Sequence, residues 1–142
     1  MIRSSKTFAA TLLATTMLVV LTGCWSSMPP LGGNKWDLVD WSSPVAIARG
    51  SIRAEFADGK VFGPTGVNTY SGPCTIGGGS PRALAIGPLT ATKKSGSPEA
   101  MRAEAEYLKL LSEARTFRIV GGNLTLYDKN GAESLLFVFS NK

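Results

Sequence analysis

Apolar and polar residues alternate over short stretches of the chain, in the pattern of half-buried β-strands. In GSIRAEFADGKVFG, the alternation predicts that Ile52, Ala54 and Phe56 lie on the inner face of a strand, while Ser51, Arg53 and Glu55 face water. WDLVDW and ALAIGPLTAT are further strand-like runs. Because Pro88 in the second run has no N–H group to donate, the sequence predicts a strand edge or a bend there.

The C-terminal part of the chain contains three more strand-like segments. They lie within TFRIVGGNLTLYDKNGAESLLFVF and are separated by GGN and DKNG. Such glycine-bearing connections favour consecutive antiparallel strands. Gly131 follows Asn130 in the second connection, where a positive φ is expected.

One segment, SGSPEAMRAEAEYLKLLSEA, has helical periodicity. Ser97 is predicted as the N-cap, Pro98 as the first helical residue and Glu99 as an acidic residue of the first turn. Spacings of three and four predict a face that packs on the sheet, formed by Met101, Ala105, Leu108 and Leu111. The residues expected to stay in water are Arg102, Glu104, Glu106, Lys109 and Glu113.

Many strands with one helix in a chain of 142 residues predict a single domain of the α+β class that is mainly β. The expected architecture is a small antiparallel sheet, or a barrel-like β-structure, with one packed α-helix.

The N-terminus has the features of a bacterial lipoprotein leader. Arg3 and Lys6 precede an apolar segment that is shorter than the roughly 20 residues of a membrane-spanning helix. The segment ends in LTGC, which resembles a lipobox and implies lipidation of Cys24. We therefore expect a signal peptide over 1–23; the alternative is an uncleaved membrane anchor.

The composition after the leader predicts a tether and then the domain. WSSMPPLGGN is rich in Ser, Pro and Gly, so residues 24–35 are expected to form a flexible tether and residues 36–142 the domain. Trp25 stands where an Asp would resemble an inner-membrane retention signal. The expected location is therefore the outer membrane, facing the periplasm, with the inner membrane as the alternative.

Charge and residue types exclude several function classes. Loss of Arg3 and Lys6 with the leader lowers the net charge from +5 to +3. The sequence contains no basic stripe with interleaved aromatic residues, so it does not favour nucleic-acid binding. Histidine is absent, which removes the commonest general base and zinc ligand. No phosphate-cradling or metal-ligand motif is present, so we expect no enzymatic activity and no cofactor.

Several blocks occur in the order found in the META domain family. These blocks are a Trp before a short strand, AEFADGKVFGPTGVNTYSG, IGPLTATKK, an acidic helix and NLTLYDKNGAESLLF. The chain thus resembles this family from about Trp36 to Phe139, in particular its heat-inducible HslJ-like bacterial members. The resemblance implies a structural or binding role for the motif residues Trp36, Gly66, Asn68, Tyr70, Gly72 and Pro88.

Two positions depart from the family pattern. Where the family often has cysteines, this chain has Val67 and Gly96, so any bridge between those cysteines is absent here. Cys74 is then an unpaired cysteine in an oxidising compartment once Cys24 is lipidated. It is interpreted as a buried small apolar residue, with a reactive or intermolecular thiol as the alternative.

The stretch TGVNTYSGPC has the composition of an active-site loop. It contains no His or acidic residue to activate a nucleophile, although a distant Lys or Glu could fold against it. We interpret it as a structural turn.

Trp36 and Trp41 are interpreted as core residues, with a sugar-stacking platform as the alternative. The spacing of Asp37 and Asp40 predicts opposite faces of a strand and solvent-facing positions.

Two functions of different class follow. The first is a non-enzymatic, lipid-anchored envelope domain that binds a protein partner or serves the envelope under stress, as the resemblance implies. The second is a periplasmic module that binds a small molecule or glycan with the barrel mouth, the tryptophans and Tyr70.

Overall fold

The computed structural model describes residues 30–141, and these form nine β-strands and one α-helix. The elements in chain order are β1 Lys35–Trp41, β2 Arg53–Ala57, β3 Lys60–Pro64, β4 Thr69–Ile76, β5 Arg82–Ile86, β6 Thr90–Ala91, α1 Pro98–Glu113, β7 Thr116–Val120, β8 Asn123–Tyr127 and β9 Glu133–Ser140. The predicted leader, Cys24 and the first part of the predicted tether lie outside the described residues.

All strand pairings between these elements are antiparallel, and together they close a barrel. The strand order is β3-β2-β1-β9-β8-β7-β5-β4, and β3 also pairs with β4, which leaves eight strands in a closed circuit. The two-residue strand β6 continues the line of β5 along the same edge of β4. The predicted fold class, mainly β with one packed helix, is confirmed in its barrel form.

The predicted alternation in β2 is confirmed. Ile52, Ala54 and Phe56 are buried and their neighbours are more exposed, because successive side chains of a strand point to opposite faces. The three C-terminal strands form the expected meander, and Gly131 has a φ of 78°. Pro88 lies between β5 and β6, outside both strands, as its missing N–H predicts.

A β-bulge in β1 corrects the prediction for its two aspartates. The register with β9 shifts between Leu38 and Asp40, so Trp36, Leu38 and Trp41 are all buried despite the odd spacing. Asp37 and Asp40 therefore lie on the same outer side of the barrel, and the prediction of opposite faces was wrong. Both are solvent-accessible as expected, and Asp37 forms an ion pair with Arg53 at 2.6 Å.

The domain begins before Trp36, which corrects part of the predicted tether. Leu31 is buried, Gly32 forms a bridge with Phe56, and the N–H of Gly33 donates to the Phe56 carbonyl at 2.7 Å. The indole N–H of Trp36 donates to the Leu31 carbonyl at 3.2 Å. The described residues 31–35 thus pack against β2 and Trp36, and they belong to the domain.

The helix begins as predicted, but its buried face matches the prediction only in part: Leu111 is buried and Leu108 packs half-buried against the core. Ser97 is the N-cap, and its side chain accepts a hydrogen bond from the N–H of Ala100. The buried residues are Ala103, Glu104, Tyr107, Leu110 and Leu111, whereas Met101 is 37% exposed and Ala105 is exposed. Two apolar stripes overlap on this helix, and the buried one brings the Tyr107 ring into the barrel core.

The strand registers define two ends of the barrel. The N-terminal end carries residues 30–35, the β2–β3 turn, the β4–β5 loop and the β7–β8 turn. The helix end carries the segment from 42 to 51, the loop from 65 to 68 and α1, which connects β6 to β7. The molecule therefore presents two different surfaces, one where the chain enters the barrel and one built around the helix.

Candidate functional site at the helix end

The predicted motif residues divide into three groups in the structure. Gly66, Asn68 and Tyr70 lie at the helix end and face α1 or the segment before β2. Gly72 and Pro88 meet each other between β4 and the β5–β6 connection. Trp36 lies apart from these, in contact with Leu31 and Phe139.

Asn68 connects three segments that are distant in sequence. Its side-chain oxygen accepts hydrogen bonds from the Thr92 hydroxyl and the Lys94 N–H, both at 2.7 Å. Its side-chain nitrogen donates to Glu104 Oε1 at 2.9 Å and to the Lys94 carbonyl at 3.3 Å. The amide makes four hydrogen bonds and is 4% exposed, so its capacity is filled by protein groups.

Glu104 supplies the distant acidic residue that folds against TGVNTYSGPC. It is 7% exposed, its Oε2 accepts from the Thr65 hydroxyl, and its Oε1 accepts from Asn68. The prediction that Glu104 stays in water was wrong. The reason is that hydrogen-bond donors from the loop offset the cost of removing a carboxylate from water.

Thr65 completes this arrangement, which we call the Asn68 cluster (Thr65, Asn68, Thr92 and Glu104). The Thr65 hydroxyl oxygen accepts from the N–H of Asn68 at 2.9 Å and lies 3.0 Å from the Asn68 carbonyl oxygen. A hydroxyl beside a group that can accept its proton is one arrangement that nucleophilic catalysis uses. Thr65 is only 2% exposed and its hydroxyl is engaged on every side, which favours a structural role for the stretch over a catalytic one. The prediction of a turn holds only for the loop from 65 to 68, because residues 69–74 belong to strand β4.

Sequence reasoning missed Thr65, Thr92, Glu104 and Tyr107 as partners of the motif. One sequence signal indicates the buried helix face: Glu104, Tyr107 and Leu111 recur at the helical spacings of three and four and therefore share a face. Because Glu104 is acidic, this face does not read as an apolar stripe. The contact with the loop also depends on how α1 crosses the barrel end, which no local pattern encodes.

Tyr70 and Tyr107 form a buried pair beneath the cluster. Their hydroxyl oxygens are 2.6 Å apart, and the Tyr70 hydroxyl is 3.2 Å from the Arg53 carbonyl oxygen. The rings meet edge to face at a centroid distance of 5.4 Å, and Tyr107 repeats this geometry with Phe137 at 6.4 Å. The pair ties the helix to β4 and to the barrel core.

Stability is expected to fall at alkaline pH because of this pair. Burial raises the pKa of Tyr70 and of Tyr107 above their ordinary value of about 10, so the native state holds both hydroxyl protons more tightly than the unfolded state. The two protonated tyrosines make their full contribution to the free energy of unfolding below about pH 10. This contribution is lost as the pH rises further, by up to about 1.4 kcal/mol per pH unit for each tyrosine.

Urea unfolding followed between about pH 8 and pH 11 checks this expectation. The background should carry Cys74→Ala, since burial also raises the pKa of this thiol. The matched variant is Tyr70→Phe combined with Tyr107→Phe, which should be much less sensitive to alkali. A parent and a double variant with the same pH dependence would contradict the assignment.

The motif glycines serve close approaches of the backbone. Gly66 has a φ of +91°, and a Cβ there would lie 3.1 Å from the Ser51 Cβ. A Cβ on Gly72 would lie 2.9 Å from the Pro88 carbonyl oxygen and 2.6 Å from Leu89 Cδ2. These two positions therefore require glycine for steric reasons, independently of any ligand.

The two tryptophans are core residues, as interpreted from the sequence. Trp36 is fully buried and Trp41 is 9% exposed. The Trp41 indole N–H donates to the Val45 carbonyl at 2.8 Å. With Tyr70 at 3% exposure, neither Trp36 nor Tyr70 presents a ring face on which a sugar could stack.

Cys74 is a buried residue of β4 and a free thiol. Burial raises its pKa, which disfavours the reactive thiolate form. The interpretation as a small apolar residue is confirmed by this environment.

Val67 and Gly96 are neighbours in space. A Cβ built on Gly96 would lie 3.5 Å from the Val67 Cβ and 2.8 Å from its Cγ2. The first distance is one that the two Cβ atoms of a disulfide adopt. The Val67 side chain thus occupies the space that a bridge between cysteines at these two positions would fill, and the absence of a side chain at Gly96 makes room for it.

An open cleft of about 380 Å³ lies beside the Asn68 cluster. We call it the helix-end cleft. Its lining comprises Ala46, Ile47, Ala48, Ser51, Thr65, Gly66, Ser97, Glu99, Ala100 and Ala103. Small apolar side chains dominate this lining, and the exposed carboxylate of Glu99 lies at the cleft.

The residues from 30 to 141 contain no helix long and apolar enough to cross a membrane. Within that same range, no group of three or more Cys, Asp or Glu side chains is placed to hold a metal ion.

Comparisons with known proteins agree with this architecture. The sequence model of the family described as META domain matches residues 29–140.

A solution structure of a protein from Burkholderia xenovorans is similar, with a TM-score of 0.63 and 22% identity over 79% of this chain and 85% of that one. A crystal structure of a DUF4847 family protein from Bacteroides vulgatus has a TM-score of 0.57 and 16% identity over 79% and 96% of the two chains. At these identities the two structures support the fold alone. No curated protein sequence matches this chain.

Proposed function

Given that the chain belongs to the META domain family, we propose that it is a non-enzymatic, lipid-anchored domain of the bacterial cell envelope that binds a protein partner. The leader over 1–23 is removed, Cys24 carries the lipid, and the domain faces the periplasm from the outer membrane. The resemblance to heat-inducible family members supports a role of this binding in envelope stress.

The observation that carries the proposal is the helix-end cleft. Its volume of about 380 Å³ and its apolar lining suit one or two apolar side chains of a partner segment. Glu99 at the cleft offers a carboxylate to a basic residue of that segment. The cleft also lies at the barrel end opposite to residues 30–35, so a lipid anchor at Cys24 leaves it open to the periplasm.

The polar residues near the cleft support a binding role over catalysis. Thr65 and Glu104 bond to each other and to Asn68, and both are nearly inaccessible. A small-molecule or glycan site built on Trp36 and Tyr70 has less support, because both rings are buried. The cleft therefore remains the better supported site.

The anchor is tested by metabolic labelling with a palmitate analogue. The wild-type chain should incorporate the label, and Cys24→Ser should not. Mass spectrometry of the wild-type N-terminal peptide should show a chain that begins at a lipidated Cys24. A wild-type chain that keeps its leader, or that carries no lipid, would refute this part of the proposal.

The partner site is tested by photo-crosslinking in cells. A photoreactive residue in place of Ala100 should capture one discrete protein, whereas the same residue in place of Asn130, at the β8–β9 turn, should not. Ala46→Phe, which fills the cleft, should reduce the Ala100 adduct about tenfold. If a folded, correctly localised Ala100 probe yields no adduct, or one that Ala46→Phe leaves unchanged, the cleft is not the partner site.

A further inference from the structure

The N-terminal end of the barrel differs in charge from an ordinary mixed surface. Four basic side chains lie at this end with two acidic ones, Glu55 and Asp58. The basic residues are Lys35, Lys60, Arg82 and Arg118. Such an excess of positive charge favours an anionic surface as the partner.

Two arginines of this set flank a cleft of about 370 Å³, which we call the N-terminal cleft. Its floor is apolar and includes Leu31, Phe117 and Ile119, and no acidic residue lines it. Among residues 30–141, neither arginine forms an ion pair with a carboxylate. Both guanidinium groups thus remain available to a bound anion.

The Arg82 side chain is held in position before any ligand binds. Its Nε donates to the Gly77 carbonyl at 3.1 Å, and its guanidinium carbon lies 5.5 Å from the centroid of the Phe117 ring. These contacts leave the terminal nitrogens free. A guanidinium fixed in this way loses less side-chain entropy when it binds a phosphate.

Exposed apolar side chains accompany the basic residues. Three large hydrophobic residues are exposed in the described part of the chain, and two of them lie at this end: Ile76 at 37% and Val120 at 59%. Ile76 is the last residue of β4 before the β4–β5 loop, and Val120 is the last residue of β7 before the β7–β8 turn. Basic and apolar side chains on one surface are the combination that binds the interface of an anionic bilayer.

The position of the chain's N-terminus selects the occupant. Pro30 and Leu31 line the N-terminal cleft, and only six residue steps separate Pro30 from Cys24. Fully extended, those steps span at most about 20 Å. If Cys24 carries the lipid, as the proposed function states, this end of the barrel stays within about 20 Å of the bilayer surface.

We propose that the N-terminal end of the barrel docks on the membrane, with Arg82 and Arg118 binding phospholipid phosphates and Ile76 and Val120 entering the interface. This inference rests on the proposed lipid anchor for its orientation. It adds a second, noncovalent attachment that fixes which way the helix-end cleft points. The anchored domain then presents its partner site away from the membrane.

The first test uses the mature chain with Cys24→Ser, so that no lipid contributes. It should float with vesicles of phosphatidylethanolamine and phosphatidylglycerol, but not with vesicles of phosphatidylcholine. Arg82→Gln combined with Arg118→Gln should lower the partition coefficient about 25-fold, since each basic residue near an anionic surface contributes about fivefold. The matched control, Arg49→Gln with Arg102→Gln, removes the same charge from the helix end and should change it less than about threefold.

Arg118→Glu provides a second variant that does not disturb the Arg82 contacts, because Arg118 is exposed and lies on β7. It should weaken flotation at least as much as the loss of one arginine. Equal losses in the Arg82/Arg118 and control variants, or equal binding to phosphatidylcholine, would overturn the proposal. The proposal would also be overturned if inorganic phosphate bound at Arg82 and Arg118 while the chain did not bind to vesicles.

The second test uses the lipidated wild-type chain in vesicles of the same anionic composition. Hydrogen exchange should slow at residues 77–82 and 117–122 relative to the lipid-free chain in solution, and stay unchanged at residues 46–51. A chain without lipid at Cys24 would count against the proposed function alone. A lipidated chain without slower exchange at the N-terminal end would count against the docking inference alone.

Discussion

Replacing Asn68 with alanine is expected to lower the free energy of unfolding by about 3–4 kcal/mol. The change removes four hydrogen bonds at once and leaves the Lys94 N–H, the Lys94 carbonyl and one oxygen of Glu104 without this partner. Each buried polar group left unsatisfied costs about 1–3 kcal/mol, and charged groups cost more. Urea denaturation of the variant and the parent measures the difference.

Two companion variants separate the hydrogen bonds from other effects. Asn130→Ala changes an exposed asparagine of the β8–β9 turn and should stay within about 0.5 kcal/mol of the parent. Glu104→Gln should stay within about 1 kcal/mol, because the amide still accepts from Asn68 and can donate to Thr65. A loss below about 1 kcal/mol for Asn68→Ala would show that Asn68 does not hold the helix end together.

Introducing a disulfide between positions 67 and 96 is expected to stabilise the domain by about 2–4 kcal/mol. The Cβ separation of 3.5 Å suits a bridge, and Val67→Cys with Gly96→Cys would close a loop that links the motif to the N-terminus of α1. The melting temperature should rise by roughly 10 °C or more. The Cys24→Ser background keeps the lipid site from competing.

The reduced form of the same double variant is the matched control, since it has the same side chains without the bond. Peptide mapping must show that position 67 is linked to 96 and not to Cys74. Oxidised and reduced forms that melt at the same temperature would contradict the expectation. Gly96→Ala alone should destabilise the protein, because its Cβ would approach Val67 Cγ2 to 2.8 Å.

The strands were largely predictable because their signals are local. Alternation marked the buried face of β2, and the turn glycines marked the C-terminal meander. The family resemblance also directed attention to Gly66, Asn68 and Tyr70, which the structure places together. The sequence left open whether the sheet closes into a barrel. That closure depends on the pairing of β3 with β4, and pairing between strands is not a local property.

The errors have physical causes that are equally specific. The bulge at Leu38 and Asp40 reverses the face of every later side chain in β1, so spacing alone misplaced Asp37 and Asp40. The sequence predicts a solvent-exposed Glu104, because a carboxylate is rarely buried without partners. Its partners, Thr65 and Asn68, lie more than thirty residues earlier in the chain.

The sequence by itself determined most of the strand segments, the helix segment with its start at Ser97 and Pro98, and the META family pattern, whereas β4 was interpreted as part of a turn. These follow from periodicity, capping and residue order, which depend on neighbours in the chain. Only the tertiary structure decided which face of α1 is buried, which groups Asn68 joins and which charges share the N-terminal end. Those outcomes depend on contacts between segments that are distant in the chain. The closed barrel brings these segments together, and the local sequence pattern of one segment does not predict its contacts with another.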